Sequence, residues 1–148
     1  MPEPEIFRRI LCAVDFDENS MAAIDLACVI AAQNGAQLYL MHVDPFPIGA
    51  TEIMLPSEPI PAWEEGSKLK LEKIADEHIP EAIASETVTR SGVPAEQIIR
   101  AVVELNIDLV VMATHGRARS AIGHFFLGSV AERVVRESPC PVLAVPPR

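Results

Sequence analysis

The sequence predicts an α/β fold in which a parallel sheet is covered by helices on both faces. Apolar runs of strand length alternate with stretches of helical periodicity along all 148 residues. No two of these runs are joined by a turn short enough for a hairpin. The runs are apolar throughout rather than at alternate positions, the pattern of strands buried on both sides.

Ile10 to Val14 is the first such run. Beyond Asp15 and a polar stretch, Ala23, Leu26, Ala27, Ile30 and Ala31 share one helical face; Asn19 or Ser20 is suited to cap that helix and Asn34-Gly35 to end it in a left-handed turn. Gln37 to Val43 reads as the second strand. From Asp44 to Ala62 the prolines at 45, 47, 56, 59 and 61 exclude regular structure and leave a long loop. Trp63 to about His78 is helical, with Leu71, Ile74, Ala75 and His78 spaced to face inward and Gly66 weakening the first turn. Glu86 to Thr89 is a short third strand. Gly92-Val93-Pro94 then opens a helix whose stripe is Ala95, Ile98, Ile99, Val102 and Val103, with proline suited to a first turn. Leu109 to Ala113, the fourth strand, runs into Thr114-His115-Gly116; Leu127, Val130, Ala131, Val134 and Val135 give the last helix its inward face, and Val142 to Val145 is the fifth strand. Right-handed crossovers place a ligand crevice outside the carboxyl ends of the strands, where strand order reverses, and Asp15 and His115 sit at such ends.

A chain of this length with 49% hydrophobic residues is expected to form one domain, residues 1–148, around one core. Twelve basic against 21 acidic residues leave a net charge of −9 with no basic block, which argues against nucleic acid as a partner. A local anion site is compatible with that charge, because screening acts over about 8 Å at physiological salt. The acidic start Met-Pro-Glu-Pro-Glu does not read as a secretory signal, and the longest uncharged stretch, Leu26 to Val43, is broken by Gln33, Asn34, Gly35 and Gln37, so no membrane span is expected. Cys12, Cys28 and Cys140 are scattered without metal-ligand spacing and fit reduced, packed thiols in a cytoplasmic protein.

The stretch from Met112 to Val130 carries the chemistry. An apolar run stops at Thr114-His115-Gly116, and a helix opens at Gly128-Ser129. Main-chain N–H groups at a strand-to-helix turn, with those of a helix's first turn, hold an anion without any lysine. Gly116 and Gly128 lack a Cβ, so oxygens of a ligand can approach the backbone closely.

Five segments together resemble the universal stress proteins, over nearly the whole chain. They are Ile10-Leu-Cys-Ala-Val-Asp15, Gly92-Val-Pro-Ala95, Asp108-Leu-Val-Val-Met-Ala-Thr-His-Gly116, Gly128-Ser-Val-Ala-Glu-Arg-Val-Val135 and Ser138-Pro-Cys-Pro-Val-Leu-Ala-Val145. The resemblance implies a Rossmann-like, three-layer α/β/α fold of the adenine nucleotide alpha hydrolase-like superfamily, with a five-stranded parallel sheet of order 3-2-1-4-5. It also implies a cytoplasmic homodimer joined through the last strand, Val142 to Val145, and, in one branch of the family, bound ATP. That branch carries a glycine, two residues, a second glycine, nine residues, and a glycine followed by serine or threonine. Here Ala113 stands at the first glycine, and eleven residues, Arg117 to Leu127, separate Gly116 from Gly128. By similarity, Val14, Asp15 and Val43 contact the adenosine, and Met112, Ala113, His115 and Gly116 line the ribose and first phosphates. Gly128, Ser129 and Val130 hold the terminal phosphates through backbone N–H groups and the Ser129 hydroxyl, with Mg2+ accompanying the nucleotide. Hydrogen bonds to a charged group contribute about 1.5–3 kcal/mol each, so three or four such N–H groups suffice for roughly micromolar binding after association costs.

Each residue also has a plainer reading. Gly128-Ser129 serves equally as a helix start, and Asp15 as a turn former bonded to its own backbone. His115 reads as a base, a phosphate donor or a solvent-satisfied residue, and His42 as a core or rim histidine. Arg117 and Arg119 either reach phosphate oxygens or point into solvent. His115 and His124 lack a recognised metal spacing, and Phe125 and Phe126 suit an anchor on the core better than a base stack. The proline-rich loop is a lid, a subunit contact or neither. Three functions follow: an ATP-binding stress regulator acting through an unknown protein partner, a slow ATP hydrolase or phosphotransferase, and a dimeric stress protein without nucleotide. The second lacks a Walker-type lysine.

Overall fold

The computed structural model describes residues 6–45, 62–114 and 127–147. In chain order the elements are β1 (Arg9–Ala13), α1 (Asn19–Asn34), β2 (Gln37–Asp44), α2 (Ala62–His78), β3 (Ser85–Ser91), α3 (Pro94–Glu104), β4 (Leu109–Ala113), α4 (Ser129–Glu137) and β5 (Val142–Val145). The strands form one parallel sheet of order β3-β2-β1-β4-β5, as expected.

The apolar runs are explained by burial on both sides. On one face Ile10, Cys12, Leu38, Leu40, Leu109 and Val111 pack against α1 and α2, through residues such as Ala23, Ala27, Ala31 and Leu71. On the other, Leu11, Tyr39, Met41, Val110 and Met112 pack against α3 and α4, through Ala95, Ile98, Val102, Ala131 and Val134. Successive residues of each strand therefore feed opposite cores. Register keeps the rows level, with Ile10 opposite both Leu38 and Leu109, and Cys12 opposite both Leu40 and Val111.

Several local expectations need correction. Neither Asn19 nor Ser20 caps α1; both lie inside it, and the Asp17 carboxylate instead accepts the Asn19 N–H at 3.0 Å. His78 is exposed at the end of α2, and the next residue, Ile79, takes the inward position. Val103 is 64% exposed, because α3 buries Ala101 and Val102 and turns its third neighbour to solvent. Leu127 and Val135 also face outward; the short α4 seals its side of the sheet with Ala131 and Val134. β3 is longer than the expected four residues and half-buried, as an edge strand paired only with β2. Gly35 ends α1 in the left-handed region at φ 61°, as the Asn-Gly pair suggests. The proline-rich loop lies, beyond Pro45 and before Ala62, outside the described residues.

Gly92 links β3 to α3 at φ 139°, a region open to glycine alone, while its N–H donates to the Asp44 carbonyl at 3.0 Å. A Cβ there would meet Gln97 Nε2 at 3.0 Å. Gly92→Ala is therefore expected to destabilise the fold by about 1–3 kcal/mol, read as a lowered denaturant midpoint at unchanged slope.

Burial pushes the Cys12 thiol far up from its ordinary value of 9.0, with the neighbouring Cys28 adding to the rise, and burial raises Cys28 as well, followed by the charge of Asp25. Both thiols stay neutral in the native protein, whereas an unfolded chain ionises them above about pH 9. Their contribution to stability is therefore complete below that value and declines as pH rises beyond it. An aromatic disulfide reagent at pH 8 should modify the half-buried Cys140 in the native protein and reach Cys12 and Cys28 only on unfolding.

Candidate functional site

Because the strands are parallel, all five carboxyl ends lie along one edge, and the helices that follow begin there. The order reverses between β1 and β4, and beside that reversal lies a cavity of about 660 Å³. This is within the range of about 300–1,000 Å³ usual for small-molecule sites. Val14 and Asp15 border it just beyond β1, Val43 at the end of β2, and Met112 and Ala113 at the end of β4. Gly128, Ser129 and Val130 close the far side at the start of α4. The structure thus gathers eight of the ten site residues expected from the sequence around one cavity; His115 and Gly116 lie outside the described residues.

The two ends of the cavity differ in their hydrogen-bonding state. At the β4–α4 end, the Gly128 N–H donates to the Thr114 carbonyl at 2.7 Å, which pins together the two ends of the longer 115–127 connection. The first main-chain bond of α4 is Glu132 N–H to Gly128 O at 2.9 Å. The N–H groups of Ser129, Val130 and Ala131 are therefore left without a partner among the described residues. Gly128 itself contributes space rather than a donor. Pro94, first residue of α3, also borders the cavity, so the N-termini of α3 and α4 both face it.

At the β1–β2 end the corresponding groups are satisfied internally. Asp15 Oδ1 accepts the Asp17 N–H at 3.0 Å and the Ser20 hydroxyl at 3.0 Å, and the Asp15 N–H donates to Ser20 Oγ at 3.3 Å. Asp15 is thus a turn former, bonded two residues along its own chain. Ser20 lies buried beneath it.

Sequence reasoning missed most of the polar network at this end. His42 is buried, with Nδ1 2.8 Å from the Val14 carbonyl oxygen and Nε2 3.2 Å from Asp44 Oδ1. Its ring stacks on Phe16 at a centroid distance of 3.9 Å, and Lys70 Nζ lies 4.7 Å from the centre of the Phe16 ring. The Ser67 hydroxyl donates to Asp44 Oδ1 at 2.7 Å. Because Ser67 bonds the carboxylate and not the imidazole, the three side chains are not arranged as a serine–histidine–aspartate triad. The one available signal was His42 and Asp44 at alternate positions near a strand end, which share a face. No group of three or more histidine, cysteine or acidic side chains among the described residues is placed to hold a metal ion. Nor is any described helix long and apolar enough to cross a membrane.

A model of the universal stress protein family matches residues 6–146. Over 147 residues the chain is 37% identical to the universal stress protein in the QAH/OAS sulfhydrylase 3′ region of Thermus aquaticus, covering 95% of this chain and 99% of that one. Among solved structures, protein MJ0577 of Methanocaldococcus jannaschii superposes with a TM-score of 0.79 at 24% identity, over 97% of this chain and 98% of that one. A universal stress protein in complex with cAMP gives 0.68 at 23% identity, with 95% and 97% covered. One from Archaeoglobus fulgidus in complex with dAMP gives 0.67 at 19%, with 95% and 98% covered. At these identities the structures support the fold, and the family match rests on the sequence. Taken with the sheet order and the cavity at its reversal, these matches make the chain a member of the universal stress protein family.

Proposed function

We propose that the cavity binds ATP, with Mg2+ accompanying the nucleotide, and that the protein acts as a nucleotide-responsive stress regulator through contacts with a protein partner. The observation that carries this reading is the set of N–H donors of Ser129, Val130 and Ala131 at the cavity wall, without a partner among the described residues and beside the N-terminus of α3. The triphosphate lies against this turn, reached also by the Ser129 hydroxyl, with His115 and Gly116 along the ribose and first phosphates. The adenosine then lies toward Val14, Asp15 and Val43, where Asp15 Oδ1 is already bonded to the Asp17 N–H and the Ser20 hydroxyl. Solved relatives of the same fold, in complex with cAMP and dAMP, support an adenine nucleotide. In this reading the protein is a cytoplasmic homodimer, with the edge strand β5, Val142 to Val145, pairing with its copy.

Acid extraction of freshly purified protein, followed by chromatography, separates the readings. ATP in the extract is the expected result and ADP would indicate turnover. An empty extract together with failed titration of added ATP would overturn the proposal.

Gly128 has φ −59° and ψ 158°, a conformation open to any residue, so Gly128→Val places an isopropyl group beside the phosphate position without backbone strain. The variant should keep its melting temperature and lose at least about tenfold in ATP affinity by calorimetric titration, a change of about 1.4 kcal/mol. Unchanged affinity would count against this placement of the phosphates.

A further inference from the structure

We propose that Asp44 reads the base of the bound nucleotide by accepting a hydrogen bond from the exocyclic amine of a 6-aminopurine, an inference that rests on the nucleotide reading above. Asp44 ends β2 and is 9% exposed. It borders both the main cavity and a polar recess of about 310 Å³ that it shares with Thr89, Arg90 and Ser91. Its two carboxylate oxygens are in different states. Oδ1 is used twice, by the Ser67 hydroxyl at 2.7 Å and by His42 Nε2 at 3.2 Å. Oδ2 has no hydrogen bond or ion pair among the described residues. No sealed side-chain oxygen or nitrogen there lacks a partner, so Oδ2 opens onto the space that Asp44 borders. Arg90, the cation lining the recess, is paired with Glu104 at 2.6 Å.

The carboxylate is held in place before any ligand arrives. Ser67 fixes it from α2, and His42 fixes it from its own strand while bonded to the Val14 carbonyl at 2.8 Å and stacked on Phe16. The Asp44 main chain is fastened to Gly92 at 3.0 Å. What remains is an immobile acceptor in a mostly buried wall, at the end of the cavity assigned to the nucleoside. A carboxylate oxygen only accepts, so it matches the 6-amine of adenine. The 6-keto oxygen of hypoxanthine in the same place would set two acceptors against each other. Guanine offers N1–H and its 2-amine side by side and is matched by two open carboxylate oxygens, of which Asp44 has one.

Calorimetric titration of the full chain with ATP and with inosine triphosphate, which share sugar and phosphates, tests this directly. ATP should bind at least about tenfold more tightly, the scale of one hydrogen bond to a charged group. Asp44→Asn keeps an acceptor for the Ser67 hydroxyl and presents an amide donor in place of Oδ2. It should weaken ATP and strengthen inosine triphosphate, inverting or erasing the preference, which a merely structural role for Asp44 would not do. Equal affinities in the native protein, or an unchanged ratio in a folded Asp44→Asn protein, would overturn the base reading and leave nucleotide binding intact. Should the variant fail to fold, the ratio in the native protein still decides. Failure of both nucleotides to bind the native protein would remove the nucleotide reading and this inference with it.

Discussion

Burial of the sheet on both faces is the constraint from which the rest of the molecule follows. Strands sealed on both sides run parallel here, and each is joined to the next by a crossover helix that starts at the strand's carboxyl end. That geometry aligns every strand end and helix start along one edge. The chain then fills one half of the sheet with β2 and β3 and crosses to the other with β4, so the connections leaving β1 and β4 diverge. The cavity is the space between them. Its position needs no special residue, and what it binds depends on how each helix start is finished.

The helix starts are finished differently, and the contrast gives the two ends of the cavity different chemistry. At α1 the Asp17 side chain accepts the Asn19 N–H at 3.0 Å and its carbonyl accepts the Ser20 N–H at 3.0 Å, so the donors are satisfied and a negative charge already sits at the positive end of the helix. An anion gains little there. At α4 the residue before the helix is glycine, which has no side chain to serve as a cap, and three donors are without a partner among the described residues. A phosphate gains both the hydrogen bonds and the helix dipole without an acidic neighbour immediately before the helix. The net charge of −9 acts on solubility and encounter rate rather than on such a contact, because distant charges are screened over about 8 Å at physiological salt.

Legibility in the sequence followed the same physics. β4 was readable to the residue, since a strand buried on both faces is an uninterrupted apolar run bounded by polar residues. β3 was only half visible, because an edge strand tolerates the Ser, Glu, Thr and Arg side chains that mask it. Helical stripes gave the correct faces but exaggerated their width at Val103 and Val135, where periodicity cannot tell how much of a helix its neighbours cover, and they extended onto Leu127, which precedes the first residue of α4. Eight of the expected residues line the cavity because they flank strand ends and a helix start, which are local features. Ser67 against Asp44 was not readable: 23 positions separate them, and only the crossover that lays α2 on the sheet brings the hydroxyl to the carboxylate.

The part that was hardest to read is also the part under strain. Phe16 holds φ 66°, a left-handed conformation that costs a non-glycine residue about 1–2 kcal/mol. It keeps that conformation because the turn around it is over-determined: Asp15, Asp17 and Ser20 lock the backbone on either side, and the ring lies flat on His42. In return His42 cannot rotate, since both its nitrogens lie against oxygens, Val14 O and Asp44 Oδ1, and its face is covered. The strained turn after β1 and the carboxylate at the end of β2 are thereby one rigid unit joined through an imidazole. Under the proposed nucleotide reading, a base entering between the two strand ends would meet a wall whose polar groups have fixed positions, so binding there would require little reordering of side chains and any preference among bases would be set before the ligand arrives.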